Sequence, residues 1–261
     1  MIPALHTHLF GPADAPTVLA LHGLTGHGKR WGRLADEQLP GVRVLAPDLL
    51  GHGHSPWTPP WSIEAHAAAA AAVVDQQVPA ARRPVVVLAH SFGSAVALHL
   101  AHQRPDLVRA LVLLDPAQGL DPAFALAMAQ ASVAHWGYDD PESARAAKRA
   151  EGWAAVPAPI LSGELTEHLI PHGDRVAWRV CLPAAATAWS EMARPAQLPP
   201  AGVPTRVVIA ERVQPPFVTA DFVDRCTAEL GDQVRFHRVD TEHMVPYLAP
   251  ELVGELVREV L

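Results

Sequence analysis

The sequence predicts an α/β protein built on an open, mostly parallel sheet with helices on both faces, and three observations carry this reading. Short apolar, β-branched runs recur along the chain; they end in Gly, Asp, His or Pro; and longer helix-like stretches separate them. Runs without clean polar alternation belong to strands covered on both faces, and strand–helix–strand repetition gives parallel pairing with right-handed crossovers. In chain order, residues 17–21 (TVLAL) precede His22-Gly23, and residues 42–46 (VRVLA) precede Pro47-Asp48. An alanine-rich helix is expected over 62–78, then a strand over 85–89 (VVVLA) ahead of His90-Ser91. A helix over 92–102 leads to a strand over 110–114 (ALVLL) before Asp115-Pro116. Strands over 205–210 and 234–239 and a closing helix over 250–261 complete the pattern.

One interval breaks the rhythm. Residues 117–200 show no strand run and hold Trp136, Trp153, Trp178 and Trp189, four of the seven tryptophans. Pro195, Pro199 and Pro200 mark the return to the sheet. The expected organisation is therefore a core of residues 1–116 and 201–261, with a helical cap, or lid, over 117–200.

Composition narrows the partners. Hydrophobic residues make 49% and charged residues 18% of the 261, which fits a sizeable buried core. The charge of -7, from 27 acids against 20 bases, argues against nucleic acid, which needs clustered positive charge. Cys181 and Cys226 are too few for a disulfide framework. Residues 1–10 lack the basic and apolar regions of a secretory signal, and the longest apolar run, 67–74, is far short of a membrane span. A cytoplasmic protein without a membrane span is expected.

The sharpest chemical signal is Ala89-His90-Ser91-Phe92-Gly93, between a strand run and a helical run. In such a strand–turn–helix elbow the serine is held at a strained tip and its hydroxyl projects from the C-terminal edge of the sheet. Small flanking residues let strand and helix approach closely, and the helix N-terminus offers an N–H where an oxyanion develops. The reading opposed to this one is an ordinary N-cap serine.

With this elbow, three further motifs fall in an order that resembles the α/β-hydrolase superfamily over almost the whole chain. His22-Gly23-Leu24 resembles the family's oxyanion loop; residues 48–55 (DLLGHGHS) resemble its D-x-x-G-x-G-x-S loop; and Glu242-His243-Met244-Val245-Pro246 resembles its histidine loop. The resemblance implies an esterase- or lipase-like serine hydrolase of the α/β-hydrolase fold. Ser91 would be the nucleophile, His243 its base, and the N–H groups of Leu24 and Phe92 the oxyanion hole.

The acid departs from the family pattern. Val213 stands where an aspartate is usual after the penultimate strand. Two carboxylates keep the order Ser, acid, His: Asp115, directly after the strand that follows the elbow helix, is preferred, and Glu211 is the alternative. Asp240 is three residues from His243 and is read as shaping its loop.

No metal is expected: His52 and His54 form an H-x-H pair, but Ser55-Pro56-Trp57 follow instead of further ligands. Nucleotide fingerprints are absent from the sequence, so no cofactor is expected. A serine at the elbow favours ester hydrolysis of a small molecule, with Trp57, Phe124, Met128 and Trp136 as candidate walls of an apolar acyl pocket. Two other readings stay open: carbon–carbon bond hydrolysis or cofactor-free oxygen chemistry on the same scaffold, and a ligand-binding member of low turnover.

Overall fold

The computed structural model describes residues 3–261. The chain enters through β1 (Thr7–Phe10), β2 (Thr17–Leu21), α1 (Gly32–Gln38), β3 (Arg43–Pro47) and α2 (Ile63–Gln77). It continues through β4 (Val85–His90), α3 (Phe92–Gln103) and β5 (Val108–Leu114). A long insertion follows, with α4 (Pro122–Ala134), α5 (Pro141–Lys148), α6 (Ala158–His168), β6 (Leu169–His172), β7 (Arg175–Trp178) and α7 (Leu182–Met192). The chain then returns through β8 (Thr205–Ala210), α8 (Ala220–Leu230), β9 (Val234–Val239), α9 (Val245–Leu248) and α10 (Pro250–Val260).

Seven strands form one sheet in the order β1-β3-β2-β4-β5-β8-β9. All pairings are parallel except β1 against β3, where Thr7 faces Pro47 and Phe10 faces Val44. All six expected strands are therefore present, and β1 adds an antiparallel edge that the sequence reading lacked.

Strand periodicity divides the core into two layers. Leu19, Leu21, Leu45, Val87, Ala89, Leu111, Leu113 and Val207 point to one side, against α2, α3 and α8. Val18, Ala20, Val44, Val86, Leu88, Val112 and Val208 point to the other, against α1 and α10. Alanine explains the close stacking of α2 on α3: Ala67, Ala70 and Ala71 meet Ala95 and Ala97 in one buried cluster. Helix starts carry the side chains that satisfy free N–H groups. Ser62, Asp121, Asp140 and Thr219 accept from the amides of Ala65, Phe124, Ser143 and Phe222.

The insertion is mostly helical, but it also holds a hairpin that the expectation of an all-helical segment missed. Strands β6 and β7 pair antiparallel with Leu169 opposite Trp178 and His172 opposite Arg175. Four-residue strands are too short to show a period-two pattern, and the two-residue turn is made by Gly173, at φ +65°, with Asp174. The insertion has its own apolar cluster of Ala144, Trp153, Val156, Leu161, Leu165, Trp178, Val180 and Ala185. Met244, adjacent to His243, is buried in that same cluster. Among the described residues, no helix is long and apolar enough to cross a membrane.

A buried set of charges joins the insertion to the core. Glu164 of α6 receives the Arg30 guanidinium on both carboxylate oxygens, and His27 Nε2 lies 3.1 Å from its Oε2. Burial by itself would raise the Glu164 pKa, but Arg30 and His27 hold it well below the usual carboxylate range. Lys148 of α5 is buried too, its Nζ 3.1 Å from Thr25 Oγ1 and 4.6 Å from the centre of the Trp178 ring. Burial pushes its pKa down.

Removing one partner of such a buried pair strands the other charge. Glu164→Ala is expected to lower unfolding free energy by about 3–5 kcal/mol, measured as a fall in the urea midpoint at unchanged slope. By contrast Glu167→Ala, which removes the exposed partner of Lys29, is expected to change it by at most about 1 kcal/mol.

Candidate active site

Ser91 sits between β4 and α3 with φ 54° and ψ −124°, a conformation that favours glycine and costs a serine of order 1–3 kcal/mol. The surrounding backbone holds it there. The Ser91 amide donates to the Leu114 carbonyl at 3.0 Å, and its own carbonyl accepts from Ser94 at 2.9 Å. The tight turn demands glycine two residues on, since a Cβ at Gly93 would meet the carbonyl oxygens of His22 and Leu21 at 2.5 and 2.6 Å. Gly23 lies against the serine in the same way: a Cβ there would come within 2.9 Å of the Ser91 Cβ. The His22-Gly23-Leu24 loop therefore lies directly over the elbow.

That loop is fixed by His22, whose Nδ1–H donates to the Gly23 carbonyl at 2.8 Å while Nε2 accepts from the Leu49 amide at 2.9 Å. Donating through one nitrogen and accepting through the other requires the neutral ring. Burial, with the neighbouring His52, pushes the His22 pKa well below its ordinary value, consistent with that state. Among the described residues, the amides of Leu24 and Phe92 donate no hydrogen bond to the protein, so two free N–H groups flank the serine.

His243 follows β9 on the loop into α9. Its Nδ1–H donates to Asp115 Oδ2 at 2.6 Å. Asp115 is buried, at φ 44° directly beyond β5, and its other oxygen accepts from the Ala210 amide at 3.2 Å at the end of β8. The carboxylate thus reaches sideways to the neighbouring strand end. Glu211 instead lies toward solvent, 3.9 Å from Arg238, and Asp240 is paired with Arg212. Val213 packs against the apolar layer formed with α1 and α10.

The two motifs touch through His90, the residue before the serine. His90 Nε2–H donates to the His243 carbonyl at 2.8 Å, and the two ring centres lie 4.5 Å apart. Burial, and next the adjoining His243, push the His90 pKa well below its ordinary value. An imidazole held at Nδ1 by a carboxylate presents Nε2 as a base, which is the arrangement a hydroxyl nucleophile needs.

Of the expected pocket residues, Phe124 stands edge-on to Trp189 and 6.4 Å from Phe217, whose ring in turn stands edge-on to His243 at 4.7 Å. Met128 lies one turn further along α4. Trp136 packs against the cluster inside the insertion, and Trp57 is exposed, with Nε1 3.4 Å from the Gly53 carbonyl. The sequence reading missed Phe217, which sits in the irregular stretch after β8 and carries no periodic signal. It also missed Gly152, at φ +87°, whose Cβ position would lie 3.8 Å from the His243 Cβ. The insertion therefore runs directly over the histidine.

Comparison with known proteins places the chain in a family. Residues 16–207 match the family model described as the alpha/beta hydrolase fold. The chain is 46% identical over 263 aligned residues to the lipase LipV of Mycobacterium tuberculosis, covering 100% of this chain and 99% of that protein. Among solved structures, E-2-(acetamidomethylene)succinate hydrolase superposes with a TM-score of 0.78 at 19% identity, covering 98% of this chain and 94% of that one. A marine microorganism esterase superposes with a TM-score of 0.76 at 20% identity, covering 99% and 100%.

The buried histidines give stability a defined pH dependence. Burial holds His52 at about 4 and His66 at about 3, against an ordinary 6.5. Between these values the unfolded chain binds protons that the folded chain refuses, so stability rises with pH across that window and falls as pH drops through it. Unfolding free energy from urea titrations is expected to be level above pH 7 and to decline from about pH 6.5 toward 4, by about 1.4 kcal/mol per pH unit for each such histidine. His66→Leu should make that decline shallower.

Proposed function

The chain belongs to the alpha/beta-hydrolase family, and we propose that within it the protein is a serine-dependent carboxylic-ester hydrolase acting on small to medium apolar acyl substrates. The observation that carries this reading is the Asp115–His243 hydrogen bond of 2.6 Å, set beside a serine in a strained turn and beneath a glycine-bearing loop. In this reading His243 Nε2 takes the Ser91 proton as the oxygen bonds to the ester carbonyl carbon. The tetrahedral oxyanion lies between the Leu24 and Phe92 amides, each worth roughly 3–4 kcal/mol in the transition state. The alcohol leaves with the proton from His243, and a water deprotonated by the same ring releases the acid. Asp115 keeps Nδ1 protonated and offsets the positive ring.

The substrate class rests on the surroundings. The aromatic row Phe217, Phe124 and Trp189 lies beside His243, and α4, which bears Phe124, has no charged side chain between Pro122 and Ala134. An acyl chain laid there meets apolar surface, whereas a charged one loses its hydration without a partner. The insertion, residues 117–200, forms the roof of this site, with Gly152 beside His243. The name of the relative LipV agrees with an ester substrate.

A fluorophosphonate probe tests the nucleophile. Ser91 is expected to be labelled in folded protein, and Ser91→Ala to abolish labelling and lower kcat on a p-nitrophenyl ester by about 10⁶-fold. A folded wild-type protein that stays unlabelled would instead favour the low-turnover binding reading. For the acid, Asp115→Asn should lose about 10⁴-fold in kcat, whereas Glu211→Gln stays near wild type. A larger loss in Glu211→Gln would overturn the assignment.

A further inference from the structure

The geometry points to a divalent transition-metal site, matched to zinc, formed by His6, His8 and Asp48 at the β1 edge of the sheet. One nitrogen from each histidine and one Asp48 oxygen lie within 4.8 Å of one another. Sheet geometry explains why. Side chains two apart on a strand share a face, so His6 and His8 project together. The antiparallel register that sets Thr7 opposite Pro47 sets His6 opposite Asp48, and the Asp48 amide donates to the His6 carbonyl at 2.8 Å to extend the ladder. Residues directly opposite on antiparallel strands also share a face, which brings the carboxylate under both rings.

The carboxylate is held ready. Asp48 is fully buried, its Oδ1 accepting from the Gly28 amide at 2.7 Å and its Oδ2 from the His54 amide at 2.8 Å. Each oxygen keeps a second lone pair. His8 Nε2 already stands 3.4 Å from Oδ1, close to the separation of about 3.3 Å between two ligands of a tetrahedral zinc. The His6 ring lies edge-on to the His8 ring at 4.7 Å and is exposed, so it is the ligand free to swing inward. Two imidazoles and one carboxylate suit zinc and leave a fourth position open to solvent on the exposed side.

The site lies away from the reacting groups, although Asp48 directly precedes Leu49, whose amide holds His22. In the strand order β1-β3-β2-β4, three steps of about 4.8 Å separate this edge from the strand that carries Ser91. A metal there ties a short edge strand to the loop after β3 and does not reach the serine. Its effect is on stability and on the protection of an open strand edge.

Tag-free protein stripped with chelator, titrated with Zn²⁺ by calorimetry and with Co²⁺ by visible absorption, tests the site. One equivalent of Zn²⁺ is expected to bind, Co²⁺ to give the intense bands of a four-coordinate ion, and Tm to rise by roughly 5–10 °C at a hundredfold excess over Kd. His6→Ala and His8→Ala should each weaken Zn²⁺ binding by at least about 100-fold, while the exposed His172→Ala binds as wild type. Both variants should keep wild-type circular dichroism and esterase rate. Absence of one-to-one binding in wild type would overturn the inference. So would equal weakening by His172→Ala, which would mean that the ion is held by scattered surface histidines.

Discussion

The close approach of four backbone segments at the end of β4 governs the rest of this molecule. Ser91 has to occupy a conformation that serine resists, and it is held there by hydrogen bonds from the neighbouring strand and from the first turn of α3. Two glycines make room for this. Gly93 lets the helix pass the His22 carbonyl, and Gly23 lets the following loop lie on the serine itself. Strain of this kind persists only when surrounding contacts over-determine it. Here the surrounding layer is a sheet whose central strands are buried on both faces; the carboxylate comes from the end of the adjacent strand β5 and the histidine from the loop after β9, at the same end of the sheet.

The position of the carboxylate shows how such an edge tolerates rearrangement. Parallel strands finish side by side, so β5 and β8 deliver their last residues to adjacent places. Asp115 comes from β5 yet bonds the amide at the end of β8, and thereby occupies the space beside His243. With that space filled, the chain beyond β8 is free to place Val213 in the apolar layer and Glu211 in solvent.

Histidine is the residue this fold uses most unusually. His22, His52, His66 and His90 are buried and kept neutral, and at least two of them serve as rigid linkers that join loops through both ring nitrogens or through a carbonyl. An imidazole gives a donor and an acceptor in one compact ring, which suits loop-to-loop links in a site with little room. The buried Arg30–Glu164 pair does similar work between core and insertion, where a salt bridge specifies one docking position rather than many.

Local pattern determined much of this protein. Six strands, the main crossover helices, the elbow, the two glycine loops and the histidine loop were all legible, because each depends on residues close in sequence: apolar runs, a small-residue turn, a helix start. The hairpin β6–β7 and the edge strand β1 were not, since four-residue strands carry almost no period and gain their stability from what they pair with. The partner of His243 was legible only as a choice between two carboxylates. Phe217, Gly152 and the Arg30–Glu164 pair gave no signal at all, because their neighbours are distant in the chain, and Lys148, which beside Arg145 and Arg149 reads as part of a solvated helix face, is buried. The same holds for Asp48 beneath His6 and His8, where strand register alone creates the contact. Sequence by itself thus set the elements and the order of their chemical loops, and tertiary structure decided which side chains meet, because distance along the chain says little about distance across a folded sheet.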